Sequence, residues 1–297
     1  MTIRFDGQVA IVTGAGRGLG REHALALARG GARVLVNDLD AAAVEQVCEE
    51  IGRVGGEAIG SSANVQHVGE VEAMIAAALL RWGRVDILVN NAGILRDRTF
   101  AKLDLADFRL VLDVHVMGSV NCTKAVWAHM KERRYGRVVF TTSSSGLYGN
   151  FGQSAYSAAK MALVGLMQTL ALEGGRYGIR VNCLAPSAAT DMTRDLWSSE
   201  DLEALDPRRV SPALVALASE AAPNKCVVLA GAGSVKLAHV TMTRGVYLPD
   251  EELTAEELLA RWTRVGDRAG EIVPAAGSEQ YRFEAAQRRA HPARERR

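Results

Sequence analysis

The sequence predicts an α/β fold in which a doubly wound parallel sheet carries helices on both faces. Three observations predict it. Short β-branched runs alternate along the chain with longer Ala/Leu-rich segments. The runs are almost continuously apolar, as strands buried on both faces are. A glycine cluster sits at the first strand–helix junction, where a tight turn must bring the backbone back onto the sheet.

Taken in order, the runs are VAIVT (9–13), RVLVN (33–37), DILVN (86–90), RVVFT (137–141), IRVNCLA (179–185) and CVVLA (226–230). Helical patterns such as REHALALARGG and VGEVEAMIAAALLRWG lie between them. Right-handed crossovers leave few topologies for such a succession. The pattern weakens after residue 235, which places a catalytic domain over 1–235 and an extension over 236–297. In the extension, Thr254 followed by Glu257 forms a capping box before LLARW and predicts a last helix at 254–265. The closing RRAHPARERR reads as a short solvated, frayed tail, although its charge also suits a nucleic-acid arm.

Bulk numbers narrow the function. Lys+Arg (35) nearly cancels Asp+Glu (34), which argues against a global grip on nucleic acid or membrane. The four cysteines, Cys48, Cys122, Cys183 and Cys226, form no CxxC pair and the histidines no HExxH. No metal site or disulfide framework is expected, and a reducing, cytoplasmic setting fits best. The first strand begins so early that no signal peptide is expected. The most apolar stretch, MALVGLMQTLAL (161–172), is too short to span a bilayer, so no membrane insertion is expected.

The glycine cluster is TGAGRGLG, Thr13–Gly20, with Gly14, Gly18 and Gly20 in TGxxxGxG spacing. Glycines here let the backbone turn tightly against a pyrophosphate that rests on the helix N-terminus. Asp38 follows the second strand. A carboxylate there accepts both adenosine ribose hydroxyls and repels a 2′-phosphate, which favours NAD. Arg17 pulls the other way, since a basic loop residue can contact that phosphate; like-charge repulsion in a shielded pocket outweighs it. Asp38 also suits a plain strand-end turn. Asn64, after the third strand-like segment, is placed to bond the adenine amine, and NNAG (90–93) closes the fourth strand at the ligand-binding edge.

The stretch TTSSSGLYGNFGQSAYSAAK carries the chemistry. Tyr156 and Lys160 are four apart on a predicted helix and share a face. An ammonium near a phenol favours the phenolate, making Tyr156 a general acid/base for an alcohol or carbonyl oxygen. Ser143, thirteen residues upstream, can polarise the same oxygen. Tyr-x-x-x-Lys is also a common surface pair. His115, inside the apolar LDVHVMGS, reads first as a satisfied core histidine, the usual case for a lone His on an apolar segment, with a metal ligand or part of a proton path as the alternatives.

TGAGRGLG, NNAG and the Ser143–Tyr156–Lys160 spacing together resemble the short-chain dehydrogenases/reductases over about residues 5–235. The resemblance implies a Rossmann-like domain and hydride transfer between nicotinamide and a substrate carbon. Tyr156 would handle the proton, Lys160 would hold the nicotinamide ribose and tune Tyr156, and Ser143 would orient the substrate oxygen. The candidate cofactor contacts are Gly14, Arg17, Gly18, Leu19, Gly20, Asp38, Asn64, Val65, Asn91, Gly93, Tyr156, Lys160 and Thr190. Most members have Asn where this chain has His115, and a Pro-Gly pair where it has APSAATDM (185–192). Both departures, with NNAGILRDR, VHVMGS and YGNFGQSAYSAAK, resemble the (3R)-hydroxyacyl-CoA dehydrogenase branch, the dehydrogenase region of multifunctional enzyme type 2. For His115 that implies a water-linked relay behind Lys160, compatible with a bond to a backbone carbonyl, and no metal.

The expected activity is therefore NAD-dependent oxidation of a secondary alcohol, foremost a (3R)-hydroxyacyl-CoA. A hydroxysteroid or other bulky alcohol is the alternative substrate. A non-catalytic dinucleotide sensor ranks last, because Tyr156 and Lys160 are both present. The ending ERR is not the peroxisomal S-K-L address, and a stand-alone dehydrogenase is expected. DMTRDLWSSEDLEAL (191–205) stands where the family carries its substrate lid; Met192, Leu196, Trp197, Leu202 and Leu205 either contact substrate or pack the helix down. The resemblance also implies a homodimer through helices at about 105–132 and 155–173.

Overall fold

The computed structural model describes residues 3–189 and 203–291, and the chain divides into two compact units, residues 1–238 and 239–297. The first holds one eight-stranded sheet of order β3-β2-β1-β4-β5-β6-β7-β8. Its strands are β1 (Val9–Thr13), β2 (Arg33–Asn37), β3 (Ala58–Ser61), β4 (Ile87–Asn90), β5 (Gly136–Thr141), β6 (Ile179–Pro186), β7 (Val227–Gly231) and β8 (Ser234–Ala238). All pairings are parallel except β7 with β8. The six runs legible in sequence are six of these strands, and β8 is an antiparallel edge strand that sequence reading missed.

Alternate strand residues feed two cores, as a period of two requires. Ala10, Val12, Val34, Val36, Ile87 and Val89 face one layer, completed by α1 (Gly18–Arg29), α2 (Ala41–Arg53) and α8 (Ser211–Ala218). Ile11, Leu35, Leu88, Val138 and Phe140 face the other, completed by α3 (Val68–Trp82), α5 (Gly118–Arg133) and α7 (Ser154–Gly175). The apolar run 161–172 is thus part of a 22-residue helix, long and apolar enough by length to cross a membrane. Its Leu163, Val164, Met167 and Ala171 are instead buried in the second core.

Two features bear on the site. Strand order reverses between β1 and β4, which opens a crevice at their carboxyl ends. Between α4 (Leu105–Leu112) and α5, residues Asp113–Met117 form one π-helical turn, closed by Gly118 N–H donating to Asp113 O. α4 packs on the start of α7 through Val111, Ala155 and Ala159. The short helix α6 (Ser144–Tyr148) follows β5.

In the second unit, Thr254 accepts from Glu257 N–H at 3.2 Å, as the capping pattern predicts. The single helix expected at 254–265 is broken at Arg261 into α9 (Ala255–Ala260) and α10 (Trp262–Val265). Glu257 does not return to the Thr254 backbone; it pairs with Arg261 at 2.6 Å. A further helix, α11 (Ser278–Ala290), was not anticipated and takes in the first residues of the supposed frayed tail.

Candidate active site

The loop between β1 and α1 is shaped by close approach. Gly14 and Gly18 hold φ of +63° and +54°, the left-handed region that favours glycine. A Cβ on Gly20 would lie 2.1 Å from Gly14 O and 2.7 Å from Asn91 Nδ2. α1 has no acidic residue in its first turn and no side-chain cap from Arg17. Its leading amides and positive dipole end therefore suit an anionic pyrophosphate. Leu19 packs against the first core. The residues present fit a dinucleotide.

Asn91 acts as a strut for this loop. Its Nδ2 donates to Thr13 O at 3.1 Å and Gly14 O at 3.0 Å, joining the end of β4 to the glycine turn. Thr13, the first residue of the motif, was assigned no role from sequence. Its buried Oγ1 accepts from Asn91 N at 3.0 Å and Ala92 N at 3.1 Å. Asp38 lies against the same loop, its Oδ2 accepting from Gly16 N at 3.1 Å. Arg17 pairs with Asp40 at 3.2 Å. Asn64 Oδ1 accepts from Gln66 N and Nε2 at 3.0 and 3.2 Å, so its acceptor is already engaged in the local turn. Val65 beside it is buried, and Val65 O accepts from Asn121 Nδ2 of α5 at 2.9 Å.

The chemistry converges from β5, α6 and α7. Ser143 caps α6, its Oγ accepting from Ser145 N at 3.1 Å, and its hydroxyl lies near enough to the Tyr156 phenol to lower the phenol's pKa. Gly146 lets α6 press on α7, where a Cβ would lie 2.8 Å from Lys160 Cβ. Thr142 Oγ1 donates to Lys160 O at 2.6 Å, and Lys160 Nζ donates to Thr141 O at 2.6 Å. Nζ lies 5.4 Å from the Tyr156 ring centroid.

The electrostatics revise one expectation. Lys160 is fully buried, and desolvation lowers its pKa to about 7. The Tyr156 pKa is raised, chiefly by burial; the nearby Ser143 hydroxyl pulls it down and the Asp97 carboxylate pushes it up. Here Lys160 turns its ammonium to Thr141 O, and burial outweighs the stabilisation of phenolate expected from the Tyr-x-x-x-Lys spacing.

His115 sits in the π-turn, buried, with Nε2 between Ile94 O (2.8 Å) and Ile94 N (3.0 Å). Its Nδ1 is buried and has no hydrogen-bond partner among the described residues. The ring meets Tyr156 edge-on, centroids 5.4 Å apart, and rests on Gly93, where a Cβ would come within 2.2 Å of Cε1. Burial, reinforced by the nearby Lys160 charge and opposed by the Ile94 bond, lowers its pKa to about 3, so it is neutral at working pH.

Sequence reasoning also missed a clamp at the site mouth. Gln153, just before α7, donates to Asp97 Oδ2 at 2.7 Å, and Arg98 N–H donates to Gly152 O at 2.9 Å. NNAGILRDR and YGNFGQSAYSAAK, the two segments joined, each stand out in sequence, but nothing in either pairs one with the other. Thr190, Met192, Leu196, Trp197 and Leu202 lie outside the described residues. Leu205 is buried, its carbonyl accepting from Ala189 N at 2.7 Å.

A glycine-cradled crevice beside a half-buried Ser143–Tyr156 pair backed by the buried Lys160 is the arrangement of a dinucleotide oxidoreductase. The family model for short chain dehydrogenases matches residues 8–201, and this chain belongs to that family. It is 42% identical over 294 residues to peroxisomal multifunctional enzyme type 2 of Drosophila melanogaster, covering 93% of this chain and 49% of the fly enzyme. This chain therefore spans about half of that relative's length. The solved fly structure superposes with a TM-score of 0.82 at 35% identity, over 97% of this chain and 50% of that one. A short chain dehydrogenase from Mycobacterium avium gives 0.78 at 36% identity, over 92% of this chain and 99% of that one. A 7α-hydroxysteroid dehydrogenase, solved with NADH and 7-oxo glycochenodeoxycholic acid, gives 0.73 at 30% identity, over 78% and 96%. The cofactor of the present chain is a nicotinamide dinucleotide, and the chain is an oxidoreductase acting on CH–OH groups.

Proposed function

We propose that this chain is an NAD-dependent dehydrogenase that oxidises a (3R)-hydroxyacyl-CoA to the 3-ketoacyl-CoA. The observation that carries the reading is the convergence of the Ser143 hydroxyl on the Tyr156 phenol, with Lys160 buried beside the ring. When bound, the dinucleotide supplies the hydride acceptor. Ser143 donates to the substrate oxygen and fixes its place. Tyr156, as phenolate, takes the hydroxyl proton at Oη; in the reducing direction the phenol returns it. Lys160, titrating near neutrality, is suited to pass that proton inward. His115 is neutral and offers Nδ1 as a fixed point for a water behind Lys160.

The Asp38 carboxylate, held by Gly16 N–H, supports NAD over NADP. The likeness to the peroxisomal multifunctional enzyme supports an acyl-CoA substrate. We assign catalysis to the domain over 1–235, with 236–297 as an extension. Four free thiols support a reducing, cytoplasmic setting. Exposed Leu105, Met117, Met161 and Leu172 on or beside α4, α5 and α7 support a homodimer through those helices. The likeness to 7α-hydroxysteroid dehydrogenase favours a second reading, a hydroxysteroid substrate. A turnover screen with NAD across 3-hydroxyacyl-CoA chain lengths and 17β-hydroxysteroids decides between them. Faster turnover of the steroids, or none of the acyl-CoAs, overturns the first reading.

A further inference from the structure

The two loops that frame the adenosine side of the crevice, residues 14–18 and 38–40, carry three charges: Arg17, Asp38 and Asp40. Arg17 is their one cation, and the next basic residue, Arg21, is already paired with Glu22 and Glu50. Arg17 reaches the Oδ2 of Asp40 at 3.2 Å, and among the described residues it forms no ion pair with Asp38. Asp40 is itself held in place. Its Oδ1 caps α2 by accepting from Ala43 N at 3.2 Å, and its N–H donates to Asp38 Oδ1 at 3.2 Å. Asp38 is fixed at its other oxygen by Gly16 N–H. Each polar group is thus set by a neighbour on the opposite loop or on the helix it caps.

The pair is too exposed to matter for stability. Its side chains are 61% and 46% accessible, and solvent screening leaves such a pair little weight in the fold. Its consequence is for ligands. A 2′-phosphate beside Asp38 needs a free cation, and the guanidinium that can serve is already engaged. We propose that Asp40 is a positioning residue that sets cofactor choice, withholding Arg17 from a 2′-phosphate so that Asp38 acts unopposed. This rests on the NAD reading and adds a second residue to it.

The test uses the whole chain with Asp40→Asn, which keeps an oxygen to cap α2 and removes the charge. Dissociation constants for adenosine 2′,5′-bisphosphate and 5′-AMP are measured by calorimetry at fixed salt, with melting temperature as the folding control. Asp40→Asn should tighten the bisphosphate by up to ~5-fold, the scale of one freed exposed charge contact, while 5′-AMP changes less than ~1.5-fold. In an Arg17→Ala background the same substitution should give less than ~1.5-fold tightening. An unchanged bisphosphate-to-AMP ratio overturns the proposal. So does equal tightening without Arg17, which would mean that Asp40 repels the phosphate directly. A wild-type preference for NADPH over NADH would instead overturn the NAD reading, while the Asp40 comparison, read as a change, still stands or falls alone.

Discussion

Replacing His115 with leucine separates a proton path from a core histidine. The ring cannot move aside, because Gly93 lies under Cε1 and Tyr156 meets its edge. Leucine fills similar space but bonds neither Ile94 N nor Ile94 O, the two groups that share Nε2. Leaving one such buried group unpaired costs about 1–3 kcal/mol. For a unit of this size that lowers Tm by ~2–12 °C. A structural role ends there. If Nδ1 also anchors the water that supplies Lys160, kcat falls ~10-fold or more and the solvent isotope effect on kcat rises as proton transfer becomes limiting. Asparagine carries a donor and an acceptor and can pair with Ile94 while holding a water. Thus His115→Asn should retain kcat within ~3-fold. The assays are calorimetric melting and steady-state oxidation across pH in H2O and D2O. Leucine at 115 that lowers Tm yet leaves kcat, its pH profile and the isotope effect untouched would refute the relay.

Tyr156→Phe should lower kcat by at least ~100-fold with NADH affinity, read by fluorescence titration, little changed. Because the Tyr156 pKa is raised, the phenol stays protonated at neutral pH, so alcohol oxidation should speed up and carbonyl reduction slow down as pH rises. Asp38→Ala should narrow the NAD/NADP ratio of kcat/KM mainly by admitting NADP; a wild-type preference for NADP would mean that Arg17 dominates. Lys160→Met should abolish most activity yet change stability in a pH-dependent way. Folded Lys160 loses its proton near pH 7 and the unfolded chain near 10.5, so the unfolded chain binds more protons between them and wild-type stability gains with pH there. The variant should therefore melt above wild type at pH 6 by a margin that shrinks towards pH 10, and a constant margin would sink the buried-ammonium account.

Legibility followed periodicity. Runs such as VAIVT and RVLVN are buried on both faces, so their apolar continuity stands out against the helices. β3 (AIGS) and β8 (SVKLA) are edge strands with one row of partners and half-buried or exposed side chains, which leaves little pattern to read. The glycine motif, Ser143, Tyr156 and Lys160 were legible because each needs a fixed residue type at fixed spacing. The direction of the Tyr156 shift was not, since spacing gives proximity but not desolvation, nor the rotamer that sends Nζ to Thr141 O. Asn91 and Thr13 act through backbone groups from distant strands, and Asp97 meets Gln153 across a sequence gap no local pattern bridges.

The π-turn at Asp113–Met117 is in effect an inserted residue. One residue advances an α-helix by about 100°, so everything after the turn is rotated by that angle relative to an unbroken helix. Upstream, Val111 keeps its place against α7; downstream, Gly118 and Asn121 come round to meet Val65 and Gln66 in the segment after β3. One helical rod thus serves both halves of the crevice out of phase. Deleting a single residue from 113–117 would restore regular hydrogen bonding and rotate one of those two contacts into solvent. In this stretch a one-residue change in chain length is a sharper insult than most changes of side chain.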